Sequence, residues 1–257
     1  MKIRDTVTVI TGGASGLGEA TVRMLLEKDA LGVLVLDINK ERGETLAAEL
    51  GKRCLFQVTD ITDVAAVDSA VAAAVAKFGK VNALVAAAAI PGPAKLIGRK
   101  GPMDMAKFDA VMKVNVYGTL HAIRAVVSAM LKNEPDKDGE RGVLINVASG
   151  AAYEGQVGQV AYSASKAALV GMTMPLAREL GVHGVRVVTI APGAFETPIY
   201  DQVPPEVKAS LIDVLLFPKR LGKPSEFAML VEEIIRNPLH NGRTYRFDGG
   251  AILPTGA

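Results

Sequence analysis

Short β-branched runs alternate with longer amphipathic stretches along the whole chain, and this alternation restricts its fold more than any other feature. Thr6–Thr11, Val33–Asp37, Cys54–Val58, Val81–Val85, Val143–Val147 and Val185–Ile190 are near-continuous apolar runs, the pattern of strands buried on both faces. A seventh strand, Arg243–Phe247, precedes Asp248-Gly249-Gly250. Helical spacing fills the intervals, at Leu17–Lys28, Lys40–Leu50, Val64–Phe78, Phe108–Lys132, Val160–Leu180 and Pro224–Arg236. Strands alternating with helices require right-handed crossovers and a parallel sheet. Three stretches break the pattern: Pro91–Lys107, Asn133–Gly142 and Pro192–Pro218. Long loops inside a compact domain tend to be functional.

The first strand-to-helix junction carries Thr11-Gly12-Gly13-Ala14-Ser15-Gly16-Leu17-Gly18. Gly12 suits a tight turn, Gly16 a close approach of backbone to a pyrophosphate, and Gly18 close packing of helix on strand. Ser15 and Leu17 then open a helix whose free N–H groups and dipole favour phosphate. Glycine also marks ordinary turns, so the run gains weight from its context. Asp37 closes the second strand about 20 residues on, where a carboxylate accepts both ribose hydroxyls of a dinucleotide. A carboxylate there repels a 2′-phosphate, and neither Ser15 nor Ile38 offers a cation, which favours NAD over NADP. Asp60, past the third strand, reads equally as a contact to the adenine amino group or as a turn aspartate. The expectation is a doubly wound, Rossmann-type α/β fold. It is a single dinucleotide-binding and catalytic domain over residues 1–257, a parallel seven-stranded sheet with helices on both faces.

A second constellation carries chemistry. Tyr162 and Lys166 stand four apart at the start of a helix, on one face. A free phenol, with a pKa near ~10, is a poor base at neutral pH, but an adjacent ammonium favours the phenolate. That makes Tyr162 a candidate general acid/base, against the plain reading of a surface pair. Ser149, thirteen residues before Tyr162, ends a strand where a parallel sheet opens its ligand crevice. Its hydroxyl suits a substrate oxygen. Asn115, inside a helical stretch, reads either as a satisfied core group or as the anchor of a water relaying protons to Lys166.

Thr11–Gly18, Asn115, Ser149, Tyr162-Ser163-Ala164-Ser165-Lys166 and Pro192-Gly193 resemble the short-chain dehydrogenase/reductase family in type, order and spacing over essentially the whole chain. More narrowly, Asn133-Glu134-Pro135-Asp136, Tyr153–Gln159 and Arg220-Leu221-Gly222 resemble the members of that family that act on 3-hydroxyacyl-CoA and on steroid alcohols. The resemblance implies an Asn-Ser-Tyr-Lys tetrad. Tyr162 is the acid/base, Ser149 orients the oxygen, Lys166 binds the nicotinamide ribose and lowers the Tyr162 pKa, and Asn115 holds the relay water. It also places Pro192 and Gly193 at the cofactor and Thr197 on the carboxamide or a phosphate. Homotetramers are implied too, with Phe108–Lys132 and Val160–Leu180 pairing across subunits. One departure stands out. Where the family usually carries an Asn-Asn-Ala-Gly-like run, this chain has Ala86-Ala87-Ala88-Ala89.

Substrate choice falls to loops near 91–107 and 193–218. Gln156, Gln159, Phe195, Tyr200, Leu211, Leu215, Leu216 and Phe217 are candidates for an apolar pocket with two amides, Gln159 foremost. Leu and Phe at helical spacing pack more often than they bind. Lys95, Arg99 and Lys100 read either as a solvated loop or as partners for the phosphates of coenzyme A.

Composition excludes other classes. A net charge of +2 gives no electrostatic reason for nucleic acid or a membrane surface. The most apolar stretch, Ala83–Ile90, is far shorter than the ~20 residues of a membrane span. The first strand starts too early for a signal peptide. Cys54 is alone, so the expected setting is reducing: a soluble intracellular protein of the cytoplasm or mitochondrial matrix. His121, His183 and His240 lack ligand spacing, so no metal site is expected. The expected partner is a small molecule, an acyl-CoA in the resemblance. The alternatives are a ketoreductase or alcohol dehydrogenase on other small or cyclic substrates and, in another class, an NAD-binding scaffold in a multiprotein assembly.

Overall fold

A computed structural model describes residues 1–99, 101–198 and 205–252. The first half runs β1 (Val7–Thr11), α1 (Gly16–Glu27), β2 (Gly32–Asp37), α2 (Lys40–Leu50), β3 (Cys54–Val58), α3 (Val64–Phe78) and β4 (Ala83–Ala86). A small antiparallel hairpin follows, β5 (Ile97–Gly98) and β6 (Gly101–Pro102). Next come α4 (Met105–Met112), a π-helical turn (Lys113–Gly118), α5 (Thr119–Met130), β7 (Gly142–Val147), α6 (Val160–Gly181) and β8 (Val185–Pro192). The described chain closes with α7 (Pro205–Asp213), α8 (Pro224–Arg236) and β9 (Arg243–Phe247).

The seven long strands form one parallel sheet in the order β3-β2-β1-β4-β7-β8-β9. Apolar residues on successive positions of each strand point to opposite faces, so the sheet feeds two cores. Val33, Val35, Val85, Ile145 and Ile190 pack beneath α1, α2 and α8. Val9, Leu34, Leu36, Leu84 and Leu144 pack beneath α3, α5 and α6. The expected doubly wound architecture is thus the observed one. Among the described residues, no helix is long and apolar enough to cross a membrane.

Two differences from the expected elements bear on the site. The stretch expected as one helix, Phe108–Lys132, is broken by the π turn that contains Asn115; such turns change the side-chain register within a helix and often mark functional positions. The third irregular stretch, Pro192–Pro218, supplies α7, whose Leu211 lines the cleft described below.

The strand order reverses at β1, which lies between β2 and β4. In sheets of this kind the crevice beyond the carboxyl ends of the strands at that point receives the ligand.

Candidate active site

A cleft of about 740 Å³ lies at that place. Its floor is the glycine loop, Ala87–Ile90 after β4, Val147–Ala151 after β7 and Pro192–Phe195 after β8.

At one end the backbone does most of the shaping. Gly12 has φ +65° and Gly16 φ +53°, conformations that side chains disfavour. A Cβ at Gly12 would meet Ala88 Cα at 2.8 Å, and one at Gly18 would strike the Gly12 carbonyl oxygen. Strand, loop and helix therefore close on one another as expected of these glycines. Ser15 stands at the N-cap of α1 without a side-chain capping bond to the N–H groups of the first turn, and Ser15, Gly16, Leu17 and Gly18 line the cleft. Thr197 comes down over this loop; a Cβ at Gly16 would lie 3.2 Å from its methyl carbon.

Asp37 accepts hydrogen bonds from Ala14 N–H (3.1 Å) and Asn39 N–H (3.0 Å), which fix both of its oxygens in place. Asp60 accepts from Thr62 N–H at 2.8 Å, and that bond holds its carboxyl below the ordinary value. Both carboxylates line the cleft.

At the other end charge is buried. Lys166 is 2% exposed and donates to Val147 O at 2.7 Å. Loss of water pushes its pKa down to about 8. Its ammonium lies 5.6 Å from the centre of the Tyr162 ring. Ser149 caps a short 3-10 turn, its hydroxyl oxygen accepting from Ala151 N–H at 3.2 Å. Ser149, Tyr162 and Lys166 all line the cleft, with Pro192 and Gly193.

Asn115 does not line it. Its amide nitrogen donates to Ile90 O (3.0 Å) and Ser165 Oγ (2.9 Å), and its oxygen accepts from Ile90 N–H (2.8 Å). Ser165 in turn donates to Tyr162 O at 2.7 Å. Both amide hydrogens are thus committed to protein partners.

The substrate candidates divide. Gln156 and Gln159 line the cleft as a bonded pair; Gln159 Oε1 accepts from Gln156 N–H, and Gln159 Nε2 donates to Gln156 Oε1 at 3.2 Å. Phe195 borders the cleft, but its ring belongs to the core, 6.3 Å from Phe227 and 5.8 Å from Phe247. Leu215 is buried against Gly249 and outside the lining. Leu211 on α7 lines the cleft instead. Leu216 and Phe217 are exposed, while Tyr200 and Lys100 lie outside the described residues.

Sequence reasoning missed Arg246. It makes a bidentate pair with Glu154 (2.6 and 3.0 Å) and bonds Asp248 at 2.7 Å, fastening β9 to the loop that carries Gln156. Its partners are two and 92 residues away, and no local spacing announces the second.

The Ala86–Ala89 run has structural consequences. The Thr11 hydroxyl accepts from Ala88 N–H at 3.1 Å, holding the run against β1. Ala86 registers opposite Asn146, whose buried amide finds no hydrogen-bond partner among the described residues.

A glycine-lined phosphate loop, an acid at the end of β2 and a Ser-Tyr-Lys group now share one cleft. Residues 6–208 match the short chain dehydrogenase family. The chain belongs to that family. It is 48% identical to human 3-hydroxyacyl-CoA dehydrogenase type-2, over 96% of this chain and 95% of the relative. The crystal structure of 3-hydroxyacyl-CoA dehydrogenase type-2 from Mycobacterium avium superposes with a TM-score of 0.92 at 38% identity, covering 97% of each chain. The 3-ketoacyl-(acyl-carrier-protein) reductase of Brucella melitensis, solved with NADH, gives 0.85 at 32% identity, over 98% of this chain and all of the other. The protein is therefore a nicotinamide-dependent oxidoreductase.

Proposed function

We propose that this enzyme interconverts a secondary alcohol and a ketone with NAD, acting on the 3-hydroxyacyl-CoA/3-oxoacyl-CoA pair and additionally on hydroxysteroids. The observation that carries the reading is the buried Lys166 beside Tyr162, at the far end of the same cleft from Asp37.

The cleft fits a dinucleotide, because its glycine loop keeps side chains away from the first turn of α1 and Asp37 stands at the ribose position. Gly12, Ser15, Gly16, Leu17, Gly18 and Thr197 would hold the phosphates, Asp37 and Asp60 the adenosine, and Pro192, Gly193 and Lys166 the nicotinamide half. When bound, the nicotinamide takes up or delivers the hydride.

The remaining chemistry belongs to the protein. Tyr162 exchanges a proton with the substrate oxygen. Ser149 accepts from Ala151 N–H, which leaves its own O–H to donate to that oxygen. The Lys166 ammonium, screened from water, stabilises the Tyr162 phenolate more strongly than an exposed cation would. Asn115 is a positioning residue, holding Tyr162 through Ser165 and the cleft wall through Ile90. Gln156 and Gln159 face the acyl portion, with Leu211 as an apolar contact. Lys95 and Arg99, on the exposed segment leading into the β5–β6 turn, suit the coenzyme A phosphates.

Assembly as a homotetramer is part of the proposal. The outward side of α6 supports it, since Ala167 and Gly171 are exposed and a Cβ at Gly171 would meet nothing. A reducing compartment, cytoplasm or mitochondrial matrix, suits the lone buried Cys54.

The test is NADH consumption, followed by absorbance, with acetoacetyl-CoA, a steroid ketone and a simple cyclic ketone. The expected kcat/KM for acetoacetyl-CoA exceeds that for the cyclic ketone by at least about tenfold, the scale of a few well-placed contacts. Equal rates on all three would overturn the acyl-CoA assignment and leave a broad ketoreductase.

A further inference from the structure

Two cations line the cleft among the described residues, Lys166 and Arg246. The proposed chemistry uses only the first. Arg246 spends its guanidinium on three separate segments. It forks onto Glu154, with distances of 2.6 and 3.0 Å, donates from Nε to Asp248 Oδ2 at 2.7 Å, and reaches Ala251 O at 2.7 Å. The guanidinium also lies 5.4 Å from the centre of the Tyr153 ring.

Each segment borders a different part of the site. Asp248 is packed on Gly193, where a Cβ would meet Asp248 Cβ at 2.8 Å, and Gly193 N–H donates to Phe247 O at 3.0 Å. This is the wall assigned above to the nicotinamide half. Glu154 belongs to the segment between the Ser149 turn and α6, which carries Gln156 and Gln159 and leads into Tyr162. Gly155 in that segment has no room for a Cβ, because Ser163 Oγ occupies the place. At its far end Ala94 N–H donates to Gly158 O at 2.8 Å. The segment has no helix or strand of its own over Tyr153–Gln159, so its position depends on such ties.

We propose that Arg246 is a positioning residue that registers the substrate segment against the nicotinamide wall, with Glu154 and Asp248 as the two ends of the tie. The inference rests on the reading that Gln156 and Gln159 face the acyl portion, and it deepens that reading. Magnitudes separate this role from plain stabilisation. The Arg246 and Glu154 side chains are 35% and 26% exposed, and ion pairs in contact with water add little to stability. A misplacement of about 1 Å in a substrate contact, by contrast, costs up to ~10²-fold in rate. A planar fork fixes position in a way that a lysine ammonium does not.

Steady-state kinetics with acetoacetyl-CoA at saturating NADH test this, alongside NADH titration by fluorescence and thermal melts. Arg246→Met is expected to raise KM by ~10-fold or more, with kcat within about threefold and the NADH dissociation constant within about twofold, the pattern of lost substrate binding. Tm should move by no more than about 3 °C. Glu154→Ala should raise KM similarly, and the double variant should be no worse than Arg246→Met, because both remove one interaction. Arg246→Lys should fall between wild type and Arg246→Met. Arg23 supplies the control, since it forks onto Glu49 and bonds Glu19 in the same manner outside the cleft lining; Arg23→Met should leave KM unchanged. If Arg246→Met does not fold, Glu154→Gln, which keeps the shape and removes the charge, carries the same measurements. An unchanged KM, a loss of NADH affinity equal to the KM effect, or single effects that multiply in the double variant overturns the positioning role. Wild type that reduces a steroid or cyclic ketone but not acetoacetyl-CoA overturns the acyl-CoA reading, and the KM split on the ketone it does reduce then decides the role of Arg246.

Discussion

The cleft has a charged group at each end, and the fold treats the two in opposite ways. Asp37 keeps partial contact with water and collects two backbone N–H groups. Lys166 is sealed from solvent with one carbonyl for company, and its pKa falls to about 8. A group proposed only to recognise ribose gains from hydrogen bonds that fix its oxygens in place. A group that has to influence a proton gains from a pKa near the pH at which the proton moves. The difference teaches that the binding end is built by backbone geometry and hydrogen bonds, whereas the chemical end is built by desolvation.

If that contrast is right, damage at the chemical end should separate turnover from cofactor binding. Tyr162→Phe is expected to lower kcat by ~10²–10⁴-fold, the range for a positioned acid/base, with the NADH dissociation constant nearly unchanged. Stopped-flow turnover and fluorescence titration read the two separately. Near-normal kcat would show that another group carries the proton.

The burial of Lys166 makes a sharper prediction, because its sign is set by the shift. With a folded pKa of about 8 against an ordinary 10.5, both folded and unfolded chains carry the charge below pH 8. There the native state bears the whole desolvation cost. Between pH 8 and 10.5 the unfolded chain binds the extra proton, so stability rises with pH and the cost disappears. In the nucleotide-free protein, Lys166→Met should therefore be more stable than wild type at pH 7, by roughly 3 kcal/mol at most. The gap should close towards pH 10. Denaturant melts at three pH values measure it; a gap independent of pH would mean that burial is not what perturbs the amine.

At the binding end the expected effects are smaller and fall on structure. Gly18→Ala drives a methyl onto the Gly12 carbonyl and should cost about 1–3 kcal/mol, with NADH affinity lost alongside. Retained stability and affinity would show that the loop yields. Between the two ends, Ala86→Asn offers the unpartnered Asn146 amide a neighbour across the β4–β7 register. A gain of about 1 kcal/mol is expected, read as a rise in Tm. A loss would mean that the sheet centre has no room for the larger side chain.

The two ends also differed in legibility. The glycine loop and Asp37 could be read directly, because their roles depend on main-chain conformation and on position at a strand end. Tyr162 and Lys166 were legible as an i, i+4 pair, and Ser149 as the end of a buried strand. Asn115 was visible as a residue but not as a device: the π turn that aims it at Ile90 and Ser165 has no periodicity of its own. Leu215 and Phe195 looked like pocket residues because apolar side chains near a site pack and bind with the same composition. Only their burial against Gly249 and among Phe227 and Phe247 separates them from Leu211.

By itself, then, the order of residues determined the parallel sheet, its crossover helices and the two ends of the cleft, since hydrophobic period and glycine placement act locally. The tertiary structure alone decided how the ends are wired: that Lys166 loses all its water, that Asn115 steadies Tyr162 through Ser165, and that Arg246 joins Glu154 to Asp248. Those facts depend on contacts between segments up to 92 residues apart. Their energies come from solvent exclusion and through-space charge, which no local pattern encodes.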